Sequence, residues 1–472
     1  MSGLVVVILA AGQGKRMHSA LPKVLHPLLG TPMLGHVLNT ALQLQPKRMV
    51  VVTGHGREAV QAYVAQWAQV NQAQAVCLEQ PNPNGTGHAV LCAREGWQDA
   101  EQVLILYGDV PLLRWQTLDA LLAVRQKAPL ALLVAQLPDP TGYGRVALHP
   151  DGQHMLGVVE HKDASEAERQ LRIVNAGMMA VSADFLANTL TQLQPNNAQG
   201  ELYLTDLVAL AAAQGQGGVA LQVDDNMEVS GVNSRAELAA LTTVLRNRVA
   251  LAHLHAGVGM DDADAVWIEP TVQLAADCSL GMDVELRGNT QIEAGARIDR
   301  GCVLTDVTVA AGAHVLPYTV ATEASIGAGA HVGPFAHLRP GTVLQERVKV
   351  GNFVETKKAN LGPGAKASHL SYLGDADIGA NCNIGAGTIT CNYDGVFKYR
   401  TTLGADVFIG SDSQLVAPVT VGQGAYVGAG STITQDVPAG ALALSRTPQR
   451  AIEGWVARKQ VRDDEKRKKS KD

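Results

Sequence analysis

The sequence predicts two folds in one chain of 472 residues, an α/β domain with a Rossmann-like, mostly parallel sheet and an all-β parallel β-helix. Two observations predict this. In the first half, apolar β-branched runs alternate with segments of helical spacing. After Gly257, apolar residues recur at every sixth position. The chain is therefore expected to divide into residues 1–232, a linker helix over residues 233–253, and residues 254–472.

In the first half, three apolar runs are expected to form buried strands, and three segments of helical spacing are expected to form helices. Strand–helix alternation of this kind favours a parallel sheet with helices on both faces. A longer amphipathic helix is expected from Arg235 to His253. The predicted strands are Leu4–Leu9, Met49–Thr53 and Val103–Leu106, and the predicted helices are Met33–Leu44, Gln61–Val70 and Leu118–Gln126.

The second half carries a hexapeptide repeat, in which each short strand of a parallel β-helix points one apolar residue inward. Small residues between the apolar positions allow the corners to turn. The phase of the repeat slips over residues 345–368 and again over residues 392–400, so both stretches are expected to be loops that leave the β-helix. The repeat positions are Leu280, Leu286, Ile292, Ile298, Leu304, then Ile326, Val332, Leu338, and finally Ile409, Leu415, Val421, Val427 and Ile433.

Composition excludes several classes of protein. The net charge of −6 gives no indication of a nucleic acid or an anionic membrane as partner. No apolar run approaches the length of a membrane span, and the N-terminus lacks a basic region and a cleavage site, so we expect a cytoplasmic protein. Six scattered cysteines without a CxxC pair predict free thiols. The tail from Arg458 to Asp472 is expected to be a frayed, solvated end, with contact to an anionic cofactor as the alternative.

The glycine-rich segment that follows the first strand is typical of phosphate binding. Gly12 and Gly14 would let backbone N–H groups approach a phosphate, and Arg16 and Lys23 would neutralise its charge. The alternative is a tight turn with surface cations. Further on, Asp109 follows the strand Val103–Leu106, at the edge where open α/β sheets bind ligands. A carboxylate there suits Mg²⁺, although it could also cap a helix.

These motifs occur in the order found in the sugar nucleotidyltransferases. More specifically, the chain resembles the bifunctional N-acetylglucosamine-1-phosphate uridylyltransferase/glucosamine-1-phosphate N-acetyltransferase family over nearly its whole length. The matching segments are LAAGQGKRM, LPKVLH, GTGHA, YGDVPL, DPTGYGR, VEHKDA, NAQGE, GVN, HLRPG, GNFVETKKA, SHLSYLGDADIGANCNIGAGTITCNYDG, GSDSQLVAPVTVG and SRTPQ.

The resemblance implies an α/β nucleotidyltransferase domain that joins UMP from UTP to N-acetylglucosamine 1-phosphate and releases pyrophosphate. Arg16 and Lys23 would stabilise the triphosphate charge, and Asp109 and Asn233 would hold Mg²⁺. The other implied residues bind the nucleotide and its sugar: Leu9, Ala10, Ala11, Gly12, Gln80, Gly85, Thr86, Tyr107, Gly108, Gly144, Glu160 and Asn175. The family usually has Thr where this chain has Lys15, a cation that either assists triphosphate binding or points to solvent.

In the second half, Arg339, Lys357 and Lys358 suit a sugar phosphate, and His369 follows them. A primary amine must lose a proton to attack a thioester, and histidine can accept one near neutral pH. Taken alone, the cations predict a solvated loop and His369 a turn or core residue. The resemblance instead implies that His369 is the catalytic base, with Glu355 as a residue that orients it.

The resemblance also implies a left-handed β-helix that forms a homotrimer and transfers acetyl from acetyl-CoA to glucosamine 1-phosphate. The sugar phosphate would be bound by Arg339, Lys357, Tyr372 and Asn383, and acetyl-CoA by Ala386, Asn392, Tyr393, Ser411, Ala429 and Arg446. The product would supply peptidoglycan and lipopolysaccharide synthesis. Two alternatives are a single-function pyrophosphorylase with a structural β-helix and a non-catalytic sensor of nucleotide sugars.

Overall fold

The computed structural model describes residues 3–470, and its internal contacts divide the chain into two compact units. The first unit runs to Leu251 and includes Ile268–Pro270. The second comprises Ala252–Trp267 and the chain from Thr271 onwards. The boundary at Leu251 lies inside the helix Arg235–His255, which begins where the sequence predicted and extends two residues further.

The first unit is built on a sheet that has nine strands within the described residues. Its first four strands are parallel neighbours, and Ile173–Ser182 then runs antiparallel to both of its neighbours, Gln102–Tyr107 and Leu130–Gln136. In spatial order the strands are Ala75–Glu79, Arg48–Thr53, Leu4–Leu9, Gln102–Tyr107, Ile173–Ser182, Leu130–Gln136, Gly218–Gln222, His154–Val159 and Arg145–Leu148.

Successive side chains of each central strand point to opposite faces of the sheet, so both faces are apolar. Helices cover both faces and form a buried core on each. Val6 and Ile8 belong to one buried cluster, and Val5 and Val7 to the other. The predicted helices are present with shifted ends, since capping rather than apolar spacing fixes where a helix stops. The α-helices of this unit are Met33–Leu42, Arg57–Asn71, Thr86–Cys92, Arg94–Trp97, Trp115–Arg125, Glu166–Arg169, Ala183–Thr189, Asp206–Ala213 and Arg235–His255.

The second unit is a left-handed parallel β-helix, so the predicted fold class is confirmed for both halves. All thirteen repeat positions predicted to point inward are buried. One face comprises Gly259–Met260, Ser279–Leu280, Arg297–Ile298, His314–Val315, His331–Val332, Lys349–Asn352, Lys366–His369, Asn383–Ile384, Phe408–Ile409, Tyr426–Val427 and Leu442–Ala443.

The remaining faces of the β-helix form one continuous hydrogen-bonded sheet, because two long strands each run along both of them. Those strands are Glu355–Leu361 and Tyr372–Ile378. The others are Trp267–Ile268, Gln273–Leu274, Glu285–Arg287, Gln291–Ile292, Val303–Thr305, Thr308–Val309, Val320–Thr322, Ala324–Ile326, His337–Leu338, Thr342–Leu344, Ile389–Cys391, Thr401–Leu403, Gln414–Val416, Val419–Val421 and Thr432–Ile433.

Strand register gives the length of each coil. Leu280 pairs with Ile298, eighteen residues later, and Ile298 pairs with Val315, seventeen residues later. A coil is therefore three hexapeptides, or three hexapeptides less one residue. The coil from Ile384 to Ile409 is longer, at twenty-five residues, because it carries the additional loop over residues 392–400.

The two breaks in the repeat have different structures. The prediction of a loop over residues 392–400 is confirmed, since only an isolated bridge between Tyr393 and Lys398 occurs there. The prediction of a loop over residues 345–368 is wrong. Lys349–Asn352, Glu355–Leu361 and Lys366–His369 are strands of the β-helix, and seventeen-residue coils and the long strand shift the phase of the repeat without interrupting it.

The prediction of a frayed tail is wrong for most of that segment, because Trp455–Lys469 is a helix. An ion pair between Lys459 and Asp463 bridges one turn, and four basic residues in the last turn complement the helix dipole. No residue of this helix is buried. All six cysteines are free thiols, as predicted. Within residues 3–470, no helix has the length and apolar character needed to cross a membrane.

Candidate functional site

The glycine-rich turn of the first unit lies directly beyond the strand Leu4–Leu9. Gly14 has a φ of 59°, and a Cβ atom on it would lie 2.6 Å from Lys23 Cβ, so glycine is needed for the turn to approach Lys23. Among the described residues, the backbone N–H groups of residues 11–14 donate to no protein acceptor. The turn therefore presents unpaired donors of the kind that phosphate oxygens accept.

Three predicted residues meet at one cation. The ammonium group of Lys23 forms an ion pair with Asp109 and lies 3.2 Å from Asn233 Oδ1. Lys23 is on the short 3₁₀ helix Lys23–Leu25, Asp109 follows the strand Gln102–Tyr107, and Asn233 precedes the long helix. The Lys23 and Asp109 side chains are only 11% and 19% exposed, so their charges are weakly screened by solvent.

Two cavities adjoin this cluster, and Tyr107 lines both. The smaller has a volume of about 240 Å³ and the larger about 570 Å³. Predicted residues that line the smaller cavity are Leu9, Ala10, Ala11, Gly12, Lys23, Gln80, Gly85, Thr86, Tyr107 and Asp109. Predicted residues that line the larger cavity are Arg16, Tyr107, Asn175 and Asn233.

Gly144 and Glu160 line neither cavity, although Gly144 contacts a residue that does. The Gly144 carbonyl accepts a hydrogen bond from the Asn175 N–H at 2.9 Å. The Glu160 carboxylate accepts one from Thr205 Oγ1 at 3.2 Å, and burial raises the pKa of Glu160. Burial also raises the pKa of Tyr107, and the charges of Glu160 and Asp109 raise it further, so the phenol remains protonated.

Gly108 also lies behind the cavity wall, where its N–H donates to the carbonyl of Leu9 at 2.9 Å. Lys15 is exposed and lines neither cavity. One residue that the sequence did not indicate is Glu237, whose Oε2 accepts from the Asn233 N–H at 2.5 Å and whose side chain lines the larger cavity. Its position one turn into the long helix, four residues after Asn233, was the available signal.

Metal ligands of the usual cluster type are absent from the part of the chain described. No group of three or more His, Cys, Asp and Glu side chains there could hold a metal ion. Asp109 and Asn233 supply two oxygen atoms directed at a common cation, Lys23 Nζ. Mg²⁺ is bound in nucleotide sites by one or two such oxygens together with phosphate and water. The donor set therefore fits Mg²⁺ only with a phosphorylated substrate present.

In the β-helix, His369 contacts a residue that the sequence did not indicate. His369 Nδ1 lies 2.8 Å from Asn352 Oδ1, because Asn352 is its register partner one coil earlier. Glu355, which the sequence suggested as the residue that orients His369, instead forms an ion pair of 2.7 Å with Arg339. A cavity of about 390 Å³ adjoins His369 and is also lined by His331 and Lys349.

Three cations converge on the neighbouring face. The Lys357 side chain lies beside that of Lys398, and the closeness of this second cation lowers the pKa of Lys357, with a smaller effect from the charge of Arg339. Lys398 lies on the loop over residues 392–400, and nothing in its sequence spacing indicated that it would reach Lys357. Tyr372 pairs in register with Glu355, so this predicted residue lies on the same face. Lys358 is exposed, and it has a φ of 46° where the strand Glu355–Leu361 passes from one face to the next.

The predicted acetyl-CoA residues lie in the coils that follow. Ile384, Ile409 and Val427 pair in register in three successive coils. Ala386, Ser411 and Ala429 each lie two positions after one of them. Arg446 Nη1 donates to the Ala429 carbonyl at 2.8 Å, and Asn392 Nδ2 donates to Asp375 Oδ2 at 2.5 Å. Tyr393 is exposed on the loop, and Asn383 pairs with Lys366 on the face that carries His369.

Fold and sites together define a two-part transferase, with a nucleotidyltransferase unit and a hexapeptide-repeat acyltransferase unit. The MobA-like NTP transferase domain family matches residues 6–193, and the bacterial transferase hexapeptide family, a set of six repeats, matches residues 400–435.

Similar proteins agree over nearly the full length. The chain is 49% identical to the bifunctional protein GlmU of Alkalilimnicola ehrlichii, with 96% of each chain covered. It is 50% identical to that of Stutzerimonas stutzeri, with 95% of this chain and 98% of the relative covered, and 51% identical to that of Azotobacter vinelandii, with 95% and 97% covered. The chain belongs to the bifunctional GlmU family. The predicted enzyme, a uridylyltransferase and N-acetyltransferase, is therefore confirmed.

Proposed function

We propose that the first unit transfers UMP from UTP to N-acetylglucosamine 1-phosphate with Mg²⁺, after the β-helix has made that sugar phosphate from glucosamine 1-phosphate and acetyl-CoA. The observation that carries the proposal is the meeting of Lys23, Asp109 and Asn233 at the mouth of two cavities. The order follows from the substrates, since the acceptor of UMP is the acetylated sugar. The product would feed peptidoglycan and lipopolysaccharide synthesis.

The smaller cavity suits the nucleotide, and the larger cavity suits the sugar phosphate. The unpaired N–H groups of residues 11–14 would bind triphosphate oxygens, and Lys23 and Arg16 would balance their charge from either side. A phosphate oxygen of the sugar substrate attacks the α-phosphorus of UTP. The bond from that phosphorus to the bridging oxygen breaks, and pyrophosphate leaves. No protein nucleophile is required, so positioning and charge stabilisation supply the catalysis.

Asp109 and Asn233 would hold Mg²⁺, which would supply positive charge to stabilise the phosphates during transfer. Lys23 has a separate task, because its ammonium keeps the two oxygen ligands close together before substrates arrive. Glu237 would fix the backbone of Asn233 through the 2.5 Å contact to its N–H group. Asn175 and the protonated Tyr107 would contact the amino sugar, with Gly144 and Glu160 supporting them.

On the β-helix, His369 is proposed as the general base. The side-chain amide oxygen of Asn352, Oδ1, can only accept, so the proton of a neutral His369 lies on Nδ1 and Nε2 is free to accept. Nε2 takes a proton from the amine of glucosamine 1-phosphate as the nitrogen attacks the thioester carbonyl. The new C–N bond forms, the C–S bond breaks, and coenzyme A leaves as the thiol after protonation.

Arg339, Lys357 and Lys398 would bind the phosphate of this substrate. The crowding of like charges that lowers the pKa of Lys357 would be relieved by a bound dianion. Tyr372 and Asn383 would contact the sugar, and the three-coil column of Ala386, Ser411 and Ala429 would bind the acyl donor. Asn392, Tyr393 and Arg446 flank that column.

A homotrimer is supported by an exposed apolar ridge along one corner of the β-helix. Tyr318, Phe335, Phe353 and Leu370 lie in successive coils and are 45–60% exposed in the single chain. Tyr318 stacks on Phe335, and Phe335 stacks on Phe353. The ridge separates the face of His369 from the face of Lys357, so a second copy seated on it would bring an additional wall to this site. Free cysteines support a reducing, cytoplasmic location.

The test follows two products with one preparation, free thiol from acetyl-CoA and pyrophosphate from UTP. His369→Ala should lower thiol release by about 10²–10⁴-fold and leave pyrophosphate release intact when N-acetylglucosamine 1-phosphate is supplied. Asp109→Ala should have the reverse effect. His314→Ala, on the same face three coils away, and Asp99→Ala, in an exposed ion pair, are matched controls that should keep both activities.

Full thiol release by His369→Ala would contradict the proposed base, and full pyrophosphate release by Asp109→Ala would contradict the proposed metal site. A wild-type preparation that released no thiol would refute the acetyl-transfer half. Sedimentation velocity gives the oligomeric state, and Phe335→Ser should favour the monomer and reduce thiol release alone.

A further inference from the structure

Behind the smaller cavity, Gln80 contacts His88, and His88 contacts Cys92. The proposed chemistry uses neither His88 nor Cys92. Gln80 is 7% exposed and lines the cavity. Its Nε2 atom lies 3.1 Å from the Gly85 carbonyl oxygen and 3.1 Å from His88 Nδ1. His88 and Cys92 lie one turn apart on the helix Thr86–Cys92, and Cys92 Sγ is 3.6 Å from His88 Nε2.

The chemistry of these groups fixes the orientation of the Gln80 amide. A backbone carbonyl can only accept, so the group that Gln80 directs at Gly85 must be its NH₂. The second N–H of that group then points at His88 Nδ1, which must be unprotonated to accept it. Both donors of Gln80 are therefore satisfied by protein. The amide oxygen Oε1 is left as the group that Gln80 can offer to a ligand.

Cys92 packs against the ring of His88 and leaves its tautomer to be set by Gln80. When Nδ1 accepts, the proton of the neutral ring lies on Nε2. The sulfur of Cys92 lies 3.6 Å from Nε2 and 3.9 Å from Nδ1, so it packs against the ring without favouring either tautomer. Burial raises the pKa of the Cys92 thiol, so the sulfur is present as a neutral thiol rather than as a thiolate. The neutral sulfur does not favour a second proton on the ring.

We propose that His88 is a positioning residue that makes Gln80 a pure hydrogen-bond acceptor and thereby selects uracil over cytosine. This inference rests on the proposed function, in which the smaller cavity binds the uridine nucleotide. Uracil carries a donor, N3–H, where cytosine carries an acceptor, N3. An acceptor fixed in this way pairs with uracil and faces cytosine with two opposed lone pairs. Discrimination by an unpaired buried polar group is stronger than discrimination by shape alone.

The experiment measures kcat/KM for pyrophosphate release with UTP and with CTP. In the His88→Ala variant, one Gln80 donor loses its partner and the amide is free to turn its NH₂ towards the base. The ratio of kcat/KM for UTP over CTP should fall by roughly tenfold, the value of one buried hydrogen-bond preference. A double-mutant cycle with Gln80→Ala isolates the contact between His88 and Gln80, because His88→Ala should leave the ratio unchanged when Gln80 is already absent.

Two further variants distinguish positioning from a merely structural role. His88→Asn places an acceptor near the position of Nδ1 and should restore most of the ratio, whereas a packing role would not be rescued by the smaller side chain. Cys92→Ala should lower the ratio less than His88→Ala does. Cys77→Ala, which removes another half-buried thiol of the same unit, is the matched control and should keep the wild-type ratio.

Two results with His88→Ala would overturn the inference. One is an unchanged ratio, which includes an equal loss for both nucleotides, and the other is a fall of the same size in the Gln80→Ala background. A fall in the ratio that His88→Asn does not reverse would also contradict it. Failure of the proposed function itself would look different, since the wild-type protein would then release no pyrophosphate from UTP at all.

Discussion

Gly351 is the position at which one added methyl group should disable acetyl transfer while sparing UMP transfer. It lies on the strand Lys349–Asn352, whose register partner is Lys366–His369. An ideal Cβ atom at Gly351 would be 1.9 Å from the Ser368 carbonyl oxygen and 2.6 Å from the carbonyl carbon. Ordinary contact begins at 3.4 Å. The two coils must therefore separate by about 1.5 Å beside His369.

The expected magnitude follows from that displacement. Overpacking typically costs 1–3 kcal/mol, and coil-to-coil hydrogen bonds such as Leu370 N–H to Asn352 O, now 3.0 Å, would weaken. We expect Gly351→Ala to destabilise the β-helix by roughly 3 kcal/mol. A displacement near 1 Å at a catalytic group can lower the rate by about a hundredfold, so thiol release should fall at least that far.

The assay compares thiol release, pyrophosphate release and thermal unfolding for Gly351→Ala and a matched variant, Gly259→Ala. The nearest atom to an added Cβ at Gly259 is 3.6 Å away, which is ordinary contact, and the backbone there does not require glycine. Gly259→Ala should keep both activities and an unchanged Tm. Wild-type thiol release by Gly351→Ala would refute the geometric reasoning, and equal loss of both activities would point to global unfolding.

Three other predictions follow from contacts away from the reacting groups. Because burial raises the pKa of Glu160, its ionisation costs stability as pH rises through that pKa, so Glu160→Gln should raise Tm at pH 8 and leave it unchanged at pH 4. Arg248→Ala removes both a partly exposed ion pair with Asp225 and a 3.0 Å hydrogen bond to the Leu112 carbonyl, and should lower the free energy of unfolding by ~2 kcal/mol in urea titration. Arg246→Ala is the control and should leave that free energy nearly unchanged, because the side-chain hydrogen bonds of Arg246 within the described residues go to the adjacent Asn247. Burial raises the pKa of Cys302 to about 12, so its thiol should resist alkylation at pH 8 until urea unfolds the chain.

The six-residue period and the alternation of strands with helices predicted the fold well, because both patterns follow directly from which residues are buried. Each inward hexapeptide residue is apolar for the same physical reason in every coil, so the pattern survives at Leu280 and again at Ile433. The phase of the hexapeptide repeat was less informative about where loops leave the β-helix. A seventeen-residue coil and a strand that runs along two faces shift the phase as a loop would, and Glu355–Leu361 was therefore mistaken for part of a loop.

The site was less predictable than the fold where contacts depend on register between coils. Asn352 reaches His369 because the two residues lie seventeen positions apart, one short coil, and that count is available only once the coil length is known. Lys398 reaches Lys357 from an inserted loop, whose course no periodicity describes. The helical tail was missed because its stability comes from spaced charges such as Lys459 and Asp463 rather than from an apolar stripe.

Each of the two sites depends on a glycine that allows close backbone packing, a property that the motifs alone do not reveal. In the first unit, Gly14 is required because a methyl group would collide with the stem of Lys23, the residue that holds Asp109 and Asn233 together. In the β-helix, Gly351 is required because a methyl group would collide with the peptide that precedes His369. In each case the missing side chain allows a backbone segment to approach the residue that carries the charge or the proton. The precision of both sites therefore depends on close backbone packing around them, and a loss of that packing should affect rate before it affects substrate affinity.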